Sequence, residues 1–112
     1  MTVGDWLARR TPSPPPALRA RLHAALGEGA ITDDLNVTET CLAAAERVLV
    51  DLLHGECISR DSALDLLTAD ALVTYAFEAA GESSEDFASR ATDAMRRFAA
   101  LGVAHREQAV AE

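Results

Sequence analysis

Residues 61–80 read DSALDLLTADALVTYAFEAA, and the fold class turns on them. At about 100° per residue, Leu66, Ala69, Val73, Ala76, Phe77 and Ala80 form one apolar stripe, and Leu64, Leu67, Ala71 and Tyr75 form a second. Asp70, Thr74 and Glu78 run between them on one side, with Asp61, Asp65 and Thr68 on the other. A helix with two apolar stripes needs two sets of partners. Burying one Leu- or Phe-sized side chain is worth roughly 1.5–3 kcal/mol, so a stripe of four left in water would forgo a large part of a small domain's stability.

Three arrangements answer that demand. The helix can lie at the centre of a bundle, with the third and fifth helices on one side and the first two on the other. It can pair with its symmetry mate in a homodimer, where alanine would allow close approach. It can instead line a ligand cavity. The first two are compatible, and the residues expected at a partner interface are Leu64, Leu67, Ala71 and Tyr75, with Trp6 as a further anchor.

Working outward, helix signals recur on both sides. Thr2 with Asp5 is a capping-box pattern opening a short helix that carries Val3, Trp6 and Leu7. The TPSPPP segment at 11–16 ends it. Ser13 then caps a second helix presenting Leu18, Leu22, Ala25 and Leu26, which Gly27 stops. Residues 28–36 read as a loop. Asn36 with Glu39 opens a third helix to His54, with Cys41, Ala45, Val48, Leu49 and Leu52 on its apolar face. Ser59 caps the quoted segment. After Gly81, Ser83 with Asp86 opens a last helix lined by Phe87, Ala91, Ala94, Met95, Phe98 and Leu101 and closed by Gly102.

These signals predict an all-α protein: a small four-helix bundle-like domain over 14–102, a short N-terminal docking helix with a Pro-rich linker over 1–13, and a polar, fraying C-terminal tail over 103–112. A length of 112 residues suits one domain, and abundant alanine suits closely packed helices.

The composition narrows function further. All 10 basic residues are arginine, usage that fits a GC-rich bacterial genome, and the net charge of −8 argues against a nucleic-acid or anionic-membrane binder. The charge is uneven: residues 1–27 carry Arg9, Arg10, Arg19 and Arg21 against Asp5, whereas residues 28–78 carry 11 acids against Arg47 and Arg60. The basic arm is therefore expected to fold over the acidic body, or over a second subunit, with Trp6 as its anchor. With neither an export signal nor an uninterrupted apolar stretch of about 18 residues, the expectation is a cytoplasmic protein with no membrane span.

Candidate chemistry is sparse. His54 and Cys57 are spaced H-x-x-C, but zinc needs three or four converging ligands, and Cys41 projects to the opposite face of the helix from His54. Cys41 reads as a small core residue and His54 as a partner of the helix C-terminus. No Ser-His-Asp arrangement, phosphate-binding glycine loop or dinucleotide fingerprint occurs. The expectation is a protein that is not an enzyme and needs no metal or cofactor. The Asp70-Thr74-Glu78 line reads as a solvated strip or a partner for Arg.

The nonapeptide Asp70 to Glu78, DALVTYAFE, resembles a segment of the helical isoprenyl diphosphate synthases, where it runs along the substrate cavity. That family also depends on two DDxxD motifs that hold magnesium and diphosphate, whereas here Asp33-Asp34 is the only adjacent aspartate pair. The resemblance implies a helix beside a cavity and no carried-over catalytic residue. The functional expectation is a small acidic helical interaction module, an accessory or regulatory subunit that pairs with itself or binds a larger protein. The alternative is a lipid- or isoprenoid-binding protein with a cavity beside residues 61–80.

Overall fold

The computed structural model describes residues 1–55, 59–83 and 87–111 and is all-α. Cys57 and Asp86, and with them the H-x-x-C pair and the last expected capping box, lie outside the described residues, as do the side chains of Ser83, Phe87 and Arg90. The helices are α1 (Val3–Ala8), α2 (Pro16–Leu26), α3 (Val37–His54), α4 (Arg60–Ser83) and α5 (Phe87–Ala111).

The frame is the α3–α4 hairpin. Thr38, near the start of α3, donates its hydroxyl to the Ala76 carbonyl near the end of α4 at 3.3 Å, so the two helices run antiparallel. Their contact is dense in small side chains: Cys41, Ala44 and Ala45 from α3, and Ala69, Ala76, Ala79 and Ala80 from α4, are all buried. Alanine at a crossing lets two backbones approach closely while keeping helix propensity high. Leu72, at 0% exposure, and Leu42 fill the space beside this seam. Thr68 is also buried, and its hydroxyl is satisfied within α4 by the Leu64 carbonyl at 2.7 Å.

The first helix belongs to this core rather than to a separate arm. Its capping box forms as the sequence predicts, with Thr2 and Asp5 exchanging hydrogen bonds of 3.0 and 3.2 Å. The Thr2 N–H bond holds the Asp5 carboxyl below its usual range. Val3 is fully buried and Trp6 only 8% exposed. Backbone bonds from Val3 to Thr32 and from Asp34 to Met1 tie the start of the chain to the segment before α3. A division at residue 13 therefore does not mark a packing boundary.

Other local expectations are modified. α2 begins at Pro16 with Pro15 at the cap, so proline at the first helical position replaces a side-chain cap, and Ser13 instead accepts from Arg19. Gly27 does end α2, in a positive-φ conformation (51°) that favours glycine. Residues 27–36 form two 3₁₀ turns, Gly27–Ile31 and Asp34–Asn36. Asn36 stands at the N-cap of α3 as expected but makes no side-chain capping bond, while Asp33 caps the second 3₁₀ turn, accepting from the Leu35 N–H at 2.9 Å. Ser59 caps α4 through the Ser62 N–H, as expected. Neither Gly81 nor Gly102 stops its helix. α4 reaches Ser83, and α5 runs through the expected tail to Ala111, because one glycine in a helix interior costs only about 1 kcal/mol against alanine.

Two stability measurements test this core. Leu72→Ala should lose about 2–5 kcal/mol in chemical denaturation, whereas Leu35→Ala, at an 89% exposed site, should change stability by less than about 0.5 kcal/mol. Burial pushes the Cys41 thiol from 9.0 up to about 12. Because the folded-state value is the higher one, the stabilisation is complete below about 9 and is lost as pH rises toward about 12. Cys41→Ala should flatten that alkaline loss in denaturation midpoints taken across this pH range.

Candidate interaction surface

The two stripes of α4 meet different fates. The Trp6 ring meets Tyr75 edge-on, with centroids 6.2 Å apart and planes at 87°. Tyr75, Ala71, Val73 and Phe77 are half-buried against the core. Burial, followed by the Glu78 carboxylate, raises the Tyr75 phenol above its ordinary value. Of the five residues expected at a partner interface, Trp6, Ala71 and Tyr75 thus contact their own chain. Leu64 is half-buried, and Leu67 is 50% exposed. Leu66, which its stripe assigns to the core, is 58% exposed.

The basic arm lies on its own acidic helix. The Arg10 guanidinium sits 4.0 Å from the Trp6 ring centroid and pairs with Glu82 at 2.8 Å and Glu78 at 3.6 Å. Trp6 also donates its indole N–H to Glu82 at 3.2 Å. Farther along α4, Arg21 of α2 reaches Asp65 at 2.6 Å and Asp61 at 3.0 Å. Arg97 of α5 bonds Glu39 and Glu46 of α3 in the same manner. The cations thus set how α1, α2 and α5 lie on the hairpin, while Trp6, Leu22 and Ala94 supply buried apolar contact.

Burial follows a gradient along the hairpin. Near its open end, α3 residues Val37, Cys41, Leu42, Ala44 and Ala45 are buried, as are α4 residues from Thr68 to Ala80 on the inner face. Toward the connection, Val48, Leu49, Val50, Leu52 and Leu53 are all only half-buried, and Leu64, Leu66 and Leu67 are half-buried or exposed. α2 reaches this end of the hairpin through Arg21, yet it leaves these apolar side chains only partly covered. Isolated exposed leucines are ordinary, but several incompletely covered apolar side chains at one end of a hairpin offer a contact surface.

The alternative, a cavity beside α4, finds little room. A hollow of about 270 Å³, lined by Arg10, Pro12, Asp70, Ala71, Tyr75 and Glu78 among others, falls below the roughly 300 Å³ at which ligand pockets usually begin. An apolar hollow of about 160 Å³ lies between Leu7, Pro14, Leu22, Leu26 and Tyr75, well under the roughly 300 Å³ at which ligand pockets usually begin. Asp33 and Asp34, the acidic pair weighed against the diphosphate-binding motifs, sit in the turn before α3, with Asp33 occupied as a cap. Among the described residues no group of three His, Cys, Asp or Glu converges as a metal site. His54 donates Nδ1–H to the Val50 carbonyl at 2.7 Å, a local helix contact. No described helix is long and apolar enough to cross a membrane.

Neither a family model, nor a curated protein, nor a solved structure matches this chain.

The two roles assigned to Trp6 and Arg10 separate by mutation. Trp6→Ala should cost about 3–5 kcal/mol because it empties a buried site, whereas Arg10→Gln, which removes a partly exposed cation–π contact and ion pair, should cost no more than about 1–2 kcal/mol. Denaturation followed by circular dichroism ranks them, and equal losses would mean that charge, rather than burial, anchors α1.

Proposed function

We propose that this protein acts through protein contacts, as a small acidic helical module that self-associates and serves as an accessory or regulatory subunit. The observation that carries this reading is the exposure of Leu66 and Leu67, at 58% and 50%, beside half-buried Val48, Leu49, Leu52, Leu53 and Leu64 at one end of the α3–α4 hairpin. Such a surface gains free energy when covered, by roughly 25 cal/mol for each Å² of apolar area removed from water. A symmetric dimer covers it twice with one patch, which is why paired copies are the commonest assembly of soluble chains.

Sedimentation velocity over a range of concentrations tests the reading. Wild-type protein should self-associate. Leu67→Glu should weaken association at least about tenfold with unchanged helicity and denaturation midpoint, because a charge would enter the contact without entering the core. Leu72→Glu, at a fully buried position on the same helix, should instead unfold the domain. A wild-type protein that stays monomeric at every concentration contradicts the proposal.

A further inference from the structure

The apolar end of the hairpin also carries a pattern that says how a second copy would lie on it. Arg60, Ala63, Leu67, Asp70 and Thr74 are all exposed, and they follow one another along α4 at spacings of three, four, three and four. This is the spacing of a coiled-coil seam, in which positions three and four apart share one edge of the helix. Leu66 and Leu64 flank the seam on either side. The inner face, from Asp65 and Thr68 through Leu72 to Ala76, is turned toward the protein's own helices.

The order along this edge is cation, small, large, anion. In an antiparallel helix pair, each seam position meets the position equally far on the other side of the two-fold axis. An axis at the level of residue 65 sets Leu67 of one copy over Ala63 of the other, and Arg60 opposite Asp70. Each pairing occurs twice. Large meets small, and positive meets negative, with no change of register between the two. The other cations near α4 are engaged within the chain, Arg10 with Glu78 and Glu82 and Arg21 with Asp61 and Asp65. Arg60 and Asp70, by contrast, have no ion-pair partner among the described residues. For a chain of net charge −8, a contact that matches opposite charges is what allows two copies to approach.

We infer that the partner covering this exposed edge of α4 is a second copy of the chain, packed antiparallel through α4 about a two-fold axis at residue 65, with Arg60 of each copy against Asp70 of the other. The inference rests on the proposed self-association and specifies its geometry. A foreign partner would need no such self-complementary order.

Charge exchange across the axis tests it. Arg60→Asp and Asp70→Arg each set like charges opposite one another twice, and each should raise the dimer dissociation constant at least about tenfold at low salt. The double variant restores opposite charges with the signs exchanged and should regain most of the lost affinity. Neither change endangers the fold: Arg60 is the first residue of α4, where an acid suits the helix N-terminus, and Asp70 is exposed. Circular dichroism verifies this. If both single variants dimerise like the wild type, or the double variant is no better than the singles, the geometry is overturned, while loss of the dimer in Leu67→Glu would leave self-association standing. A wild-type monomer at every concentration would overturn both.

Discussion

The structure depends on the close antiparallel contact of α3 and α4 through small side chains. Cys41, Ala44 and Ala45 of α3 are buried in one core with Ala76 and Ala79 of α4. Larger residues there would push the helices apart and break the Thr38 to Ala76 bond between them. With the hairpin fixed, the remaining helices add large apolar groups at defined places: Trp6 from α1, Leu22 and Leu26 from α2, and Phe98 from α5. The first of these is held additionally by Arg10 and Glu82, so the aromatic body is buried and its polar edge satisfied.

Electrostatics in this molecule chiefly position elements. Partly exposed ion pairs contribute little stability each, and the pairs made by Arg10, Arg21 and Arg97 all retain exposed partners. What they do is direct. They neutralise α4 acids with cations from the N-terminal segment and lay α5 along α3. The lopsided charge of the sequence is thereby partly offset within one chain, while Arg60 and Asp70, which have no ion-pair partner among the described residues, stay exposed.

Much of this was legible in the residues. The all-α class followed from periodicity and alanine content, and Thr2, Gly27 and Ser59 marked helix ends correctly because each acts through local backbone bonding. Gly81 and Gly102 misled because a glycine ends a helix only where the backbone turns there, and neighbouring helix formers override a single weak position. The fate of the α4 stripes was beyond a helical projection. Tyr75 and Leu67 share a stripe, yet Tyr75 meets Trp6, while Leu67 is left half exposed. Only the lengths and positions of α1 and α2 decide that. The seam of Arg60, Ala63, Leu67 and Asp70 was present as a spacing in the sequence, but its meaning depends on which edge of α4 the rest of the fold leaves open.

Burial along the hairpin is therefore deep over one half and shallower over the other, and the shallower half is where a second copy is proposed to complete it. Amide hydrogen exchange along α4, measured at low and high protein concentration, tests this most directly. The account predicts strong, concentration-independent protection over residues 68–80 and weaker protection over 61–67 that rises with concentration. Equal protection of both halves at every concentration would contradict it, because the hairpin end would then be complete within a single chain.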